Sequence, residues 1–392
     1  MRNLRRRIYR ATQNGEKNWA RSLMKLMLKS QANMLVSIRR VTQENQGKQT
    51  AGLDRQTALT PEARVTLAKD MQGYHPGQVS PTRRIYIPKA NGNQRPLGIP
   101  VIRDRVMQAI VKNALEPVWE AQFEAHSYGF RPGRSCHDAI GQVHNRLRKG
   151  HDLWVLDADI KGAFDNISHA YILRAIGFVP GREMIKQWLK AGYVEAEVFY
   201  KTDSGTPQGG VISPLLANIA LHGLSDILAK YQKSRIRHRT VKGKPYRTRR
   251  YYPKYGYIRY CDDFVVSAET QEDIEAILPE IRAWLAERGL QLNEEKTKIR
   301  QVSMGFNYLG FNIRHYKQSC LCKPEKEKVI TKLREIKAWL KRHRTAKAAT
   351  VISYLNPILR GWANYYRTGA SKEVFTDVHH RLVELGANQA TI

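Results

Sequence analysis

The sequence predicts an α+β protein: a strand-rich middle covered by helices, followed by a small, basic, helical C-terminal domain. Three observations carry that prediction. Short apolar runs bounded by Gly, Pro and Asn turns recur between residues 81 and 313, as half-buried strands do. Between them lie stretches with apolar residues every three or four positions, the period of a helix face. A chain of 392 residues with 42% hydrophobic content can hold two or three cores.

In chain order, residues 1–80 read as helices and polar loops. Trp19 to Ile38 is one helix candidate, with Leu23, Met27 and Met34 spaced among basic residues. Asn45 to Asp54 is a polar, Gly-containing loop. Arg83–Pro88 reads as a strand, Asn91-Gly92 as a tight hairpin turn, and Arg95–Pro100 as the returning strand. Asp104 to Glu116 is a helix with Asp104 at its N-cap and Pro117 as its stop. Trp154–Ile160 is a strand ending in a turn. Pro214 to Tyr231 looks helical after a Gly-rich loop. Tyr257–Tyr260 and Phe264–Val266 make a hairpin with Cys261-Asp262-Asp263 at its bend. Ile277, Ile281 and Leu285 mark a helix covering the sheet, and Leu290-Gln291-Leu292 alternates like a strand. A linker near Arg314–Pro324 precedes the helical domain. There Val329, Leu333, Ile336 and Leu340 form an apolar stripe, and two more helices follow near 348–366 and 373–385.

Charge narrows the function. A formal charge of +31 spread along the chain demands a large polyanion, and nucleic acid is the natural one. No apolar run approaches the roughly 18 residues of a membrane span, and Met1–Arg7 lacks the apolar segment of a signal peptide. The expected location is therefore the cytoplasm. Cys320-x-Cys322 is too tight for a zinc knuckle, so Cys136, Cys261, Cys320 and Cys322 read as free thiols. Lys230 to Arg259 holds 12 Lys or Arg residues interleaved with Tyr246, Tyr251, Tyr252 and Tyr255, a backbone-tracking surface with stacking platforms.

Two acidic clusters carry the chemistry. Asp159, in Asp159-Ile160-Lys161-Gly162-Ala163-Phe164, and Asp262-Asp263, in Tyr260-Cys261-Asp262-Asp263, both sit in strand-like runs. Carboxylates packed together repel unless a cation joins them, and hard cations take oxygen ligands. Two Mg²⁺ about 3.5–4 Å apart would activate a 3′-hydroxyl and steady departing pyrophosphate. Asp159 and Asp262 are the expected shared ligands, with the Ile160 carbonyl beside them and Asp263 tuning the site. The pairing looks like the metal site of a template-directed polymerase.

Arg95–Pro100, Ser127–Ser135, Asp159–Ile167 and Gly205–Leu215 resemble, in order and spacing, the blocks of bacterial group II intron reverse transcriptases, also called maturases. The resemblance covers nearly the whole chain. Cys261 stands where the family usually has alanine. The resemblance implies a right-hand polymerase: N-terminal RNA-binding extension and start of fingers at 1–80, fingers at 81–150, palm at 151–313 with a basic insertion at 230–256, and thumb at 314–392. It puts Phe164 under the incoming sugar, where its ring would clash with a 2′-hydroxyl and favour dNTPs; core packing is the plain alternative. Lys89 and Arg95 would hold the triphosphate, Gln208 would contact the dNTP, and Lys296 would protonate pyrophosphate. Phe306–Gly310 resembles the hairpin that grips the primer end, and Leu355–Tyr366 the thumb signature. Within that signature Trp362, Tyr365 and Tyr366 read mainly as core. RNA contacts are assigned to Lys48, Arg131, Arg134 and Arg360.

The implied function is RNA-directed DNA synthesis and splicing assistance: binding group II intron RNA, then copying it into cDNA on a primer–template at target DNA. A homodimer is left open. Many relatives carry an HNH endonuclease after the thumb; none is read here, as expected either of a truncated protein or of a branch without the nuclease, and priming would then come from another nick or from nascent DNA at a replication fork. Two other readings stand beside it. One is an RNA-binding splicing cofactor without catalysis, against which the intact aspartates count. The other is a reverse transcriptase recruited to host defence, diversity generation or repair.

Overall fold

Helices open the chain in a computed structural model, which describes residues 1–390 except 75–76, 78, 89–91, 93, 149, 242–243 and 318. They span Arg2–Gln13, Lys17–Lys29, Gln31–Arg39 and Pro61–Gln72. The helix expected from Trp19 to Ile38 is broken at Ser30, whose extended backbone and side chain cap the next helix through the Asn33 N–H. The first three helices pack on the long helix Ile102–Glu120. That helix starts earlier and ends later than its sequence signals. Val101 is its N-cap, while Asp104 lies inside and accepts from the Tyr74 hydroxyl at 2.5 Å and the Ser80 N–H at 3.1 Å. Pro117 falls in the last turn, where it cannot donate to the Asn113 carbonyl, and the helix runs only three residues beyond it.

Thirteen strands are described: β1 (Thr82–Pro88), β2 (Gln94–Ile99), β3 (Trp154–Ala158), β4 (Tyr193–Glu195), β5 (Val198–Tyr200), β6 (Gln232–Val241), β7 (Lys244–Pro253), β8 (Gly256–Tyr260), β9 (Asp263–Ala268), β10 (Lys298–Gln301), β11 (Phe306–Tyr308), β12 (Phe311–Tyr316) and β13 (Ser319–Pro324). They form four sheets, ordered β2-β1-β4-β5, β10-β3-β9-β8, β11-β12-β13 and β6-β7. The second is the central sheet. Its strands β3 and β9 carry the longest apolar runs, and the helix Gln271–Ala286 covers one face with Ile274, Ile277, Ile281 and Leu285.

Two expectations about the middle of the chain need correction. Leu290–Leu292 makes a single bridge, Leu292 to Ile160, rather than a strand. Arg314–Pro324 is no linker: it contains most of the β12–β13 hairpin, so a domain boundary at 313/314 would cut β12 in two. The period-two alternation is visible in retrospect, with Phe311, Ile313, Cys320 and Cys322 all turned inward. Burial pushes the Cys320 thiol up to about 11 and Cys322 to about 12, as expected of inert core cysteines.

The hydrophobic core has two parts. The larger lies between the central sheet, its covering helices and the N-terminal helices. The smaller gathers the opposite sheet face, the helix Cys136–Leu147, the β11–β13 sheet and Tyr366. Of the C-terminal helices, Ala348–Tyr366 and Lys372–Ala390 attach through this second core by Trp362, Tyr365, Tyr366 and Phe375, while Lys326–Arg342 packs on Lys372–Ala390. As expected, Tyr366 is buried and Trp362 and Tyr365 are half-buried against it. No helix among the described residues is long and apolar enough to cross a membrane.

Candidate active site

The acidic clusters meet because β3 and β9 are antiparallel neighbours. Ala158 lies opposite Phe264, so Asp159 at the end of β3 stands beside the β8–β9 turn. That turn has two residues, Cys261 and Asp262, between paired Tyr260 and Asp263. Cys261 adopts a left-handed backbone (φ 57°), which a non-glycine residue takes only when its surroundings enforce it.

Three neighbours enforce it. Arg259, almost fully buried on β8, donates from Nη1 to the Cys261 carbonyl at 2.9 Å and to Asn218 Oδ1 at 3.0 Å, and from Nη2 to Ser127 Oγ at 2.7 Å. Asn218 in turn donates to the Gly129 carbonyl at 2.8 Å. Gly129 runs directly against the turn: a Cβ there would lie 2.3 Å from both the backbone N and the Sγ of Cys261. The Ser127–Ser135 segment is therefore a brace for the acidic turn.

Asp159 is held from a different quarter. Its Oδ2 accepts from Lys296 Nζ at 3.1 Å and Asn293 Nδ2 at 3.2 Å, and its carbonyl accepts the Asn293 N–H at 2.8 Å. Lys296 is exposed, so this pair adds little to stability. Its importance lies in supplying positive charge where carboxylates crowd. Burial, then the neighbouring Asp159, raises the pKa of Asp262, with Arg95 and Lys296 opposing. Burial followed by Asp262, Asp159 and Asp157 pushes Asp263 up to about 7, although Asp263 opens to the cleft and water damps the effect. Asp157, below them on β3, is pushed up to about 6, mainly by burial. Crowded carboxylate oxygens suit a hard divalent cation, and Asp159, Asp262 and the Ile160 carbonyl are the oxygens that could hold one. Among the described residues no group of three or more His, Cys, Asp or Glu side chains stands ready-made for a metal. The carboxylates alone thus supply only part of a coordination shell.

These groups line a cleft of about 800 Å³. Arg95, Ile160, Phe164, Gln208 and Lys296 line it too, so most of the residues singled out in the sequence converge here; Lys89 lies outside the described residues. Phe164 is half-buried and meets Phe130 edge-on, with centroids 6.0 Å apart. Gln208 donates from Nε2 to both Asp165 carboxylate oxygens at 3.2 Å, which fixes its amide. Its carbonyl accepts the Gly98 N–H of β2 at 2.9 Å. Gly209 allows that approach, since it has φ 135° and a Cβ would lie 2.6 Å from the Gly98 carbonyl oxygen. Leu309, at the tip of the β11–β12 hairpin, closes the cleft, and Tyr365 ties down its carbonyl at 2.8 Å.

The RNA assignments divide. Arg134 and Arg360 are exposed, and Lys48 is half-exposed on the short 3-10 helix Gln46–Gln49, which Arg105 pins through the Gly47 and Thr50 carbonyls. Arg131 is a correction. It is buried, forks onto Glu120 at 2.9–3.2 Å, and donates to the Glu124 and Ser127 carbonyls. It belongs to the brace, not to a surface. Sequence reasoning also passed over Phe130, Asn218, Arg259 and Asn293. Of these only Arg259 left a signal: a cation at an inward position of an apolar strand.

Comparison with known proteins gives three family matches. Residues 87–313 match the family described as reverse transcriptase (RNA-dependent DNA polymerase), residues 1–71 the N-terminal domain of reverse transcriptase, and residues 331–385 the group II intron maturase-specific domain. Protein YkfC of Escherichia coli is 36% identical over 314 residues, covering 74% of this chain and 82% of that protein. The group II intron-encoded protein LtrA of Lactococcus lactis is 31% identical over 370 residues, covering 75% of this chain and 61% of LtrA. Maturase-like protein 1 of Euglena gracilis is 24% identical over 385 residues, covering 93% of this chain and 74% of its own length. A reverse transcriptase domain of this kind carries nucleotidyl transfer with divalent metal. The chain belongs to the family of group II intron-encoded reverse transcriptases and maturases.

Proposed function

We propose that this protein is an RNA-directed DNA polymerase and maturase that binds its group II intron RNA, assists splicing, and copies the RNA into cDNA at target DNA. The observation that carries the reading is the convergence of Asp159, Asp262, Phe164 and Gln208 on one open cleft. In the right-hand description, the central sheet is the palm, the β2-β1-β4-β5 sheet with the N-terminal helices forms the fingers, and the C-terminal helices form the thumb. The thumb is better begun after β13, at the Lys326–Arg342 helix, than at 314.

Two Mg²⁺, when bound by Asp159, Asp262 and the Ile160 carbonyl, would supply the Lewis acidity for the 3′-hydroxyl and for pyrophosphate. The chain's own residues do the rest. Arg95 neutralises triphosphate oxygens from across the cleft. Phe164, buttressed by Phe130, occupies the space a 2′-hydroxyl would need and so selects dNTPs. Gln208, oriented by Asp165, lines the nucleotide's seat. Lys296, beside Asp159 at the edge of the cleft, would donate a proton to departing pyrophosphate. Asp263 modulates the charge of the site without needing to ligate. Arg134, Arg360 and Lys48 face RNA, and the ribozyme performs splicing itself. The site of action is the bacterial cytoplasm, at the nucleoid when target DNA is engaged.

The test is Mg²⁺-dependent extension of a DNA primer on an RNA template, with dNTPs against NTPs, beside Asp262→Asn. Extension with dNTPs that the substitution abolishes, with intron RNA binding retained, is the expected result. Intron RNA binding without extension by the unmodified protein would leave only the splicing-cofactor reading.

A further inference from the structure

The β6–β7 ribbon has no place in that chemistry. Residues 232–253 contain nine Lys or Arg and no Asp or Glu. The two strands pair with each other and with no other sheet. Among the described residues, the ion pairs of the ribbon lie at its root. Lys233 meets Asp152 at 3.5 Å and Glu269 at 3.0 Å, Arg235 meets Glu269 at 3.7 Å, and Lys254 meets Asp273 at 2.7 Å. On β7, Arg247, Arg249 and Arg250 are exposed, and none has a carboxylate at ion-pair distance among the described residues. Arg250 sits directly opposite Arg235, a like-charge pairing that opposes strand association. An isolated two-stranded ribbon is marginal in water even without such repulsion. A polyanion would complete this one.

We propose that the ribbon is an arm that docks in the major groove of B-form duplex DNA, at a site separate from the catalytic cleft. Shape selects the partner. The B-form major groove, about 12 Å wide, admits a two-stranded ribbon, whereas the A-form major groove of RNA is too narrow. Strand residues alternate between faces, so Arg235 and Arg250 share one face, while Arg247 and Arg249 share the other. A ribbon basic on both faces suits a groove walled by phosphates on both sides better than it suits a single backbone. Ten residues per strand reach roughly 33 Å, about one turn of the duplex.

Position separates this site from polymerisation. The arm leaves the central sheet at Gly256, the start of β8, and Asp262 follows the other end of that strand. Its anchors Asp152 and Glu269 lie where β3 begins and β9 ends, away from Asp159. The arm therefore holds DNA other than the growing primer end. This goes beyond the polymerase reading and does not rest on it.

The test uses the full chain and a variant carrying Arg247→Ser, Arg249→Ser and Arg250→Ser. Its probes are a blunt, fluorophore-labelled DNA duplex and an RNA duplex of the same sequence, titrated over a range of salt. Losing three phosphate contacts at about 0.9 each should flatten the log–log salt slope for DNA by about 2.7, with affinity weakened about tenfold or more at low salt. Binding to the RNA duplex and extension of a short primer should stay within about twofold, and replacing the same three residues by Lys should keep the DNA slope, since the term depends on charge. Unchanged DNA binding by the Ser variant overturns the proposal. So does a loss greater on RNA than on DNA, which would make this an RNA arm. A parallel loss of short-primer extension also overturns it, because the arm would then belong to the polymerising site.

Discussion

Arg259→Met should unseat the acidic turn at long range from solvent. The guanidinium is 1% exposed and makes three hydrogen bonds of 2.7–3.0 Å, to Asn218, Ser127 and the Cys261 carbonyl. It is also the cation nearest Glu124, with Nη2 3.9 Å from an Oε2 that has no hydrogen-bond partner and whose side chain is 3% exposed. Glu124 keeps two bonds through Oε1, from the Gly223 and Ser225 N–H groups, and so stays buried after the substitution. Methionine fills the volume and strands the carboxylate. Removing one partner of a buried ion pair costs roughly 3–5 kcal/mol, and urea unfolding should show a loss in that range. Adding Glu124→Gln removes the stranded charge and keeps the Oε1 acceptor. The double variant should recover at least about 1 kcal/mol relative to the sum of the singles. A second readout separates positioning from plain stability. With the Cys261 carbonyl released, Asp262 is less well placed, and the Mg²⁺ concentration for half-maximal primer extension should rise at temperatures where the variant is folded. A single variant that loses under about 1 kcal/mol, or a double variant with purely additive losses and an unchanged Mg²⁺ requirement, would refute the brace.

Three further outcomes follow from the same geometry. Gly129→Ala puts a Cβ against Cys261 backbone, where nothing flexible can yield, so extension should fall at least about tenfold, equivalent to about 1.4 kcal/mol, with intron RNA binding kept. Phe164→Val should lower the dNTP-over-NTP preference in kcat/KM by about tenfold or more, and do so more than it lowers dNTP use itself; equal losses for both nucleotides would make the ring plain core. The pKa of Asp263 is raised in the folded state toward about 7, a shift that its exposure to the cleft damps, so its contribution to stability is present below the unfolded value of about 3.9 and is lost as pH rises through the folded one. A cation reverses that loss. Thermal melting should therefore show a larger Mg²⁺-induced gain at pH 8 than at pH 5.5, and equal gains at both would sink the reading.

How much of this was legible in the chain depended on the range of each interaction. The candidate carboxylates Asp159 and Asp262 were readable because both lie at the ends of apolar strands, where crowded like charges call for a cation. Helices with one wet face, such as Gln271–Ala286 and Ala348–Tyr366, were readable from period alone. Local signals failed where tertiary contacts outvoted them. Asp104 looks like an N-cap, yet a Tyr74 hydroxyl and the Ser80 N–H claim its carboxylate, and the helix begins two residues earlier. Arg131 sits in a basic, Gly-rich loop that reads as RNA-facing, but Glu120 and two carbonyls draw it inside. The β8–β9 hairpin was readable even without Asn-Gly or Asp-Gly at its bend, but its geometry was not: Cys261 takes φ 57° because Arg259, Asn218 and Gly129 hold it there. These three come from segments far apart in sequence, and none carries a chemically reactive group. A motif search finds the residues that do chemistry because they are constrained one at a time. The brace is constrained only as a set, by a buried charge, a missing Cβ and a shared carbonyl, and that kind of constraint becomes visible only once the segments are folded together.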